Sequence, residues 1–184
     1  MQNKSELNLL IEKIKLNNLD ALKDLYEMSK TDIFAFVLSI VKNYYDAEDI
    51  MHNVYVSIAK NAYLYVHEKN PASWIFTIAK NESLMYIRKK NKEIHMTHQE
   101  IDDLSQTHIL FNYEDKILID YLLNNLNDLE REILILHDMN GFKHREIAKI
   151  LEIPLPTVLS KYNRSIKKLR TFLKEENHKC QRKN

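Results

Sequence analysis

The sequence predicts an all-α chain: two small helical domains joined by a flexible linker, the C-terminal one built on a helix-turn-helix. Three observations predict it. The 184 residues include one Gly and three Pro, too few to punctuate a strand-and-turn protein. Apolar residues recur every three or four positions through two long blocks, which is the helical period. Between the blocks, residues 93–113 lose that periodicity and mix Glu, His, Thr, Gln and Asp, the composition of a linker.

The first block, residues 6–92, divides into four helices. Glu6 to Lys15 and Ala21 to Val41 carry helical apolar spacing, with Leu22, Leu25, Tyr26, Ile33, Val37 and Ile40 as expected core positions. Asn43-Tyr44-Tyr45 breaks the pattern. Asp46 is expected to cap a third helix, with Asp49 three residues on complementing its N-terminal dipole. Ala47, Ile50, Met51, Val54 and Ile58 point inward along it. Residues 61–70 read as a loop with aromatic content. Asn70-Pro71 opens a fourth helix that runs through Trp74, Ile75, Ile78 and Ala79 to the cluster Arg88-Lys89-Lys90-Asn91-Lys92.

The second block, residues 114–176, begins with Ile117, Leu118, Tyr121, Leu122 and Leu126 on one helix, then a helix from Leu129 to Met139 stopped at Asn140-Gly141. Residues 177–184 read as a disordered tail. The most informative stretch is 130–170. Ile147, Ala148 and Leu151 share one face of a short helix, and Ala148 is small where a second helix would cross. Ile153 lies in the connection. Pro156 suits the first position of the next helix, where a proline's missing N–H would have been an orphan anyway. Val158, Tyr162, Ile166 and Leu169 then form an inward stripe, and Lys161, Arg164, Lys167 and Lys168 an outward basic face of the kind that phosphates and guanine edges attract.

Charge is distributed rather than excessive. The formal net charge is +1, but from Leu155 onward nine Lys/Arg face only Glu175 and Glu176. Basic charge thus collects where DNA is expected, and acidic charge elsewhere suits a protein partner. The single cysteine, Cys180, leaves no partner for an internal disulfide and fits a reducing cytoplasm; with His178 it makes only a feeble pair of metal ligands, and no metal site is expected. MQNKSELN has no apolar signal core and no run approaches a membrane span, so no membrane insertion and a cytoplasmic location are expected. There is no Gly-rich phosphate loop and no HExxH, and the histidines lack ligand spacing. Neither catalysis nor a cofactor is expected.

Taken together in order, these residues resemble the small, two-domain extracytoplasmic-function (ECF) group of bacterial sigma factors, over roughly residues 7–174. Asp46-Ala47-Glu48-Asp49-Ile50 with Val54-Tyr55 is similar to that family's acidic helix. The resemblance implies a polymerase-binding surface of Asp46, Glu48, Asp49, His52 and Asn53. Pro71-Ala72-Ser73-Trp74-Ile75, Ile78-Ala79-Lys80-Asn81 and Arg88-Lys89-Lys90 are similar to the helix that reads the minus-ten element, which implies DNA contacts from Tyr63, Tyr65, Trp74, Asn81, Arg88, Lys89 and Lys90. Leu129, Arg131, Glu132, Gly141, Glu146-Ile147-Ala148, Leu151, Ile153, Thr157-Val158, Ser160, Arg164 and Leu169-Arg170 are similar to the domain that reads the minus-thirty-five element. There the implied contacts are Arg145, Pro156, Thr157, Ser160, Lys161, Arg164 and Lys168. The implied partners are core RNA polymerase, promoter DNA and an anti-sigma factor.

The chain departs from the family pattern at several positions. His52-Asn53 stand where Gln-Glu is usual, Met85 where an acid is usual, Glu152 where the turn holds glycine, Pro154 where a serine caps the recognition helix, and Leu159 where a basic residue is usual. A left-handed Glu152 would cost about 1 kcal/mol. On the residues alone Trp74 also reads as a core anchor, Tyr63 and Tyr65 as aromatics tucked onto the domain, Asp46, Glu48 and Asp49 as a solvated face, and Arg88-Lys89-Lys90 as a helix-end cluster. A stand-alone helix-turn-helix regulator and a degenerate sigma-like interaction protein are the alternative functions.

Overall fold

The computed structural model describes residues 4–67, 70–94 and 124–181, and every long element among them is a helix. The chain divides into two compact units, residues 1–110 and 111–184. The expected linker beyond Ile94, and the helix positions Ile117, Leu118, Tyr121 and Leu122, lie outside the described residues.

The first unit holds α1 (Lys4–Lys15), α2 (Leu19–Val41), α3 (Tyr44–Asn61), a single 3-10 turn (Ala62–Leu64) and α4 (Pro71–Ile94). Three of these helix starts are chosen by asparagines. The Asn18 side chain accepts from the Ala21 N–H at 3.0 Å, Asn43 from the Asp46 N–H at 3.0 Å, and Asn70 from the Ala72 N–H at 3.1 Å. The cap of α3 is therefore Asn43, not Asp46, and the helix starts three residues earlier than predicted. A carbonyl-type side chain already satisfies the orphan donor there, which leaves the Asp46 carboxylate free for another use. Two helix ends use non-glycine residues in the left-handed region, Asn17 (φ 59°) and Lys42 (φ 59°).

Ile11, Leu25, Ile33, Phe34, Phe36, Val37, Ala47, Val54, Ile58, Ile75, Phe76 and Ala79 interlock as the core of this unit, each essentially without solvent exposure. Phe36 and Phe76 meet edge-to-face at 5.2 Å, joining α2 to α4. Residues 33–40 of α2 are buried all round, because α1, α3 and α4 all pack on it.

The second unit holds α5 (Asp128–Leu134), which runs on as a π-helical turn through Met139, then α6 (His144–Leu151) and α7 (Leu155–Gln181). Asn127 and Glu130 form a reciprocal capping box: the Glu130 N–H donates to Asn127 Oδ1 at 2.9 Å, and the Asn127 N–H to the Glu130 carboxylate at 3.3 Å. Gly141 (φ 71°) ends the second helix as predicted, at a position where its N–H reaches the His137 carbonyl. Leu126 and Leu134 pack with Tyr162, Ile166 and Leu169, so the predicted inward stripe of α7 is the stripe that packs. The α7 backbone stays helical to Gln181, past the predicted boundary at 176, since residues 171–181 contain neither Gly nor Pro.

Candidate nucleic-acid and partner interfaces

Glu48, Asp49, His52 and Asn53 lie one turn apart along α3 and are all exposed, while Ala47, Ile50, Met51 and Val54 bury the opposite face. The helix thus offers an acidic and polar surface made by its own periodicity. His52 stacks parallel to the Tyr26 ring at 6.1 Å, which fixes the imidazole against α2. Asp46 does not join this surface. It turns toward α4 and pairs with Lys90 at 2.7 Å, so one residue expected to meet polymerase and one expected to meet DNA hold each other.

Along α4, Asn81, Met85, Arg88 and Lys92 recur at helical spacing and are all exposed, forming an outward stripe with cations toward its C-terminal end. Lys89 is exposed beside it. Lys90 also lies over the Tyr86 ring, 5.6 Å from its centre. Met85, 60% exposed, puts an uncharged side chain in mid-stripe where an acid was expected to be usual. The two loop tyrosines separate completely. Tyr63 is 71% exposed, whereas Tyr65 is 3% exposed. The Tyr65 hydroxyl donates to Asn8 Oδ1 at 2.5 Å, its ring packs on Trp74 at 5.1 Å, and Lys15 lies 5.6 Å over its face. Burial, followed by the nearby Glu12 charge, raises the Tyr65 phenol above its ordinary pKa. Tyr65 and half-buried Trp74 are therefore a wall and its strut, and Tyr63 is the aromatic that faces solvent. Asn8 is the residue the sequence reading missed: it lies 57 positions from its partner, and nothing local marks it.

In the second unit the helix-turn-helix forms as read. Glu146 accepts from the Lys143 N–H at 2.9 Å and so starts α6. Glu152 takes the left-handed conformation (φ 57°, ψ 42°), and the Ile153 N–H reaches back to the Ala148 carbonyl at 3.0 Å, closing the helix end. The Pro154 carbonyl accepts from the Thr157 and Val158 N–H groups, at 3.0 and 3.2 Å. The recognition helix thus begins at Leu155, and Pro156 occupies its second position rather than its first. The missing N–H is harmless at either, since neither has an intrahelical acceptor.

Arg145, Pro156, Ser160 and Arg164 are exposed; Thr157 and Lys161 are half-buried. The Ser160 hydroxyl donates to the Thr157 carbonyl at 3.0 Å. Lys168 is committed inward. Its ammonium donates to Glu130 at 2.7 Å and to the Asn125 carbonyl at 3.2 Å. Burial, the largest influence on Glu130, would raise its pKa. The Lys168 hydrogen bond, the Asn127 N–H and the charges of Lys168 and Lys161 outweigh it and hold the carboxyl below its ordinary value. Arg131, which is fully buried, donates to the Leu126 carbonyl at 3.0 Å and to Asp128 at 2.7 Å. It ties the start of α5 to the residue that precedes its cap.

Behind the recognition helix, His137 and His144 stack at 4.3 Å, and both meet the Tyr162 ring edge-on, at 4.7 and 4.8 Å. Tyr162 donates its hydroxyl to Asp138 at 3.1 Å. Burial, then the neighbouring His137, lowers the His144 pKa, with Asp138 opposing them. Sequence reading had these histidines as scattered; only the turn at Gly141 brings them face to face. Among the described residues no group of His, Cys, Asp and Glu could hold a metal ion, and no helix is long and apolar enough to cross a membrane.

An acidic-faced helix and a cation-ended helix in one unit, with a helix-turn-helix in the other, define a two-part DNA-binding protein with a surface for a second partner. Comparison with known proteins gives the class a family. Sigma-70 region 2 matches residues 25–93, and Sigma-70 region 4 matches residues 116–169. The chain is 26% identical over 136 residues to the ECF RNA polymerase sigma factor SigM of Bacillus subtilis, covering 71% of this chain and 81% of that one. It is 24% identical over 182 residues to SigW of the same organism, covering 90% and 95%. Among solved structures it resembles the sigma factor RpoE of Bartonella quintana, in complex with the anti-sigma factor NepR, at a TM-score of 0.72 and 23% identity over 83% of this chain and 96% of that one. The chain belongs to the sigma-70 family of RNA polymerase sigma factors, in its ECF group.

Proposed function

We propose a division of labour for this sigma factor in which α3 docks on core RNA polymerase, α4 with the Tyr63 loop engages the minus-ten element, and α7 lies in the major groove of the minus-thirty-five element. The observation that carries this reading is the segregation of charge within the first unit: Glu48 and Asp49 are exposed on one helix, Arg88, Lys89 and Lys92 on another. A surface for a protein and a surface for phosphate are thereby kept on separate elements. The acts are binding and strand separation, and the site of action is the cytoplasm, where polymerase and DNA are. Two solved relatives were captured with other proteins on them, RpoE with the anti-sigma factor NepR and CnrH with the cytosolic domain of CnrY. By analogy an anti-sigma partner is proposed here too.

The test is run-off transcription with purified core polymerase and a pool of promoter fragments. The expected result is promoter-specific initiation that needs both proteins. Alanine at Lys161 and Arg164 together should reduce it; a base-contacting pair is worth about 1–3 kcal/mol and its loss relaxes sequence preference. Tight, specific DNA binding by the lone protein, indifferent to core polymerase, would instead identify a stand-alone regulator.

A further inference from the structure

The exposed face of the recognition helix is not uniformly basic. Pro156, Leu159, Ser160 and Asn163 fall at spacings of three, one and three residues, on the side turned away from fully buried Val158, and all four are exposed. Leu159 is 42% exposed at the middle of this strip. The cation nearest the inward side of the helix does not cover it: Lys168 is bound to Glu130 and the Asn125 carbonyl, and Lys161 is half-buried. The first exposed cation of the helix is Arg164, five residues beyond Leu159.

On a surface that meets duplex DNA, an apolar side chain has one complementary group in the major groove. That group is the thymine C5-methyl, since every other feature displayed there is a hydrogen-bond donor or acceptor. We propose that Leu159 is a specificity-determining residue that reads a thymine methyl in the minus-thirty-five element. This inference rests on the placement of α7 proposed above. Asn163 lies one turn further on, about 6 Å along the axis, within two base-pair steps of 3.4 Å. Its amide carries the donor and acceptor that match an adenine edge. The first two turns therefore read A·T pairs by methyl contact and amide hydrogen bonds, and Arg164 and Lys167, both exposed, follow with charge.

The experiment uses the full chain reconstituted with core polymerase and run-off transcription from fragments with randomised upstream and downstream hexamers. The selected sequences are read for the wild type, Leu159→Ala and Leu159→Arg. The expected result is one upstream position that prefers thymine in the wild type, loses the preference with alanine and moves to guanine with arginine. Replacing that thymine by deoxyuridine, which removes only the methyl, should reduce wild-type transcription about fourfold, the worth of one buried methyl group, and leave Leu159→Ala unchanged. An upstream preference identical in all three proteins, or a wild type indifferent to deoxyuridine, overturns the Leu159 assignment while the sigma reading stands. A pool with no enriched upstream element overturns the placement of α7 itself. Leu159 is exposed on a helix, so both variants should fold, and circular dichroism checks this directly.

Discussion

At the scale of single residues, the clearest case is Glu152. A side chain with a Cβ occupies the left-handed region at φ 57°, where glycine would sit without strain. Replacing it by glycine relieves the strain but adds freedom to the unfolded chain, so the expected gain is small, up to about 1 kcal/mol. Urea denaturation of Glu152→Gly checks it; a midpoint lower than wild type would show that the Glu152 side chain contributes more than its backbone loses. The loop tyrosines give a second residue-scale prediction. Tyr65→Phe removes the bond to buried Asn8 and should destabilise the first unit by about 1–3 kcal/mol, because an amide oxygen is left buried without a donor. Tyr63→Ala should leave stability unchanged and reduce open-complex formation, read by permanganate reactivity of the melted strand. Equal effects of the two changes on stability would refute the division of roles between them.

At the scale of elements, the recognition helix is held from behind by an aromatic cluster. Its members are His137, His144 and Tyr162, with Asp138 bonded to the tyrosine hydroxyl. Burial, then the neighbouring His137, holds the folded-state pKa of His144 below the usual 6.5. The unfolded chain therefore binds more protons there, and stability falls as the pH drops below about 6.5, levelling off once the folded pKa is passed. Glu130, held below the ordinary carboxylate value of 4.5, weakens the same unit only at more acid pH. Between pH 7 and 5.5 the second unit should lose thermal stability, and His144→Phe should lose less. Far-UV circular dichroism reports the whole chain and Trp74 fluorescence the first unit, so the difference isolates the effect. An identical pH slope in the two proteins would place the sensitivity elsewhere.

At the scale of the whole molecule, the near-neutral net charge of +1 conceals opposed surfaces. Lys168 and Lys90 are each held by a carboxylate, which reduces the number of cations presented to phosphate by the free protein. Free protein is expected to bind promoter DNA weakly, with core polymerase as the partner that makes both DNA surfaces effective. Charge reversal at Glu48 and Asp49 should abolish core binding while leaving helical content intact, since both side chains are exposed. Co-elution with core polymerase on size exclusion, paired with circular dichroism, measures both halves. Retained core binding by the double variant would remove α3 from the docking surface.

Much of this was legible in the chain itself. Periodicity placed the helices, and the inward residues of α3 and α7 are those that pack, because a helix that must bury one face advertises it every three or four positions. The left-handed Glu152 was readable from its place in the helix-turn-helix. Local competition decided the misplaced boundaries: Asn43 took the cap expected of Asp46, and Pro154 displaced Pro156 from the helix start. What only the tertiary structure decided is which polar side chains remain available. Lys90 and Lys168 read as DNA contacts until folding brings Asp46 and Glu130 within 2.7 Å of them, across separations of 44 and 38 residues. Tyr65 and Tyr63 look alike in sequence, yet Tyr65 is buried against Trp74 and bonded to Asn8 while Tyr63 stays in solvent. Hydrophobic pattern is a local property with a fixed period, whereas the pairing of charges and hydroxyls depends on which helices come to lie side by side.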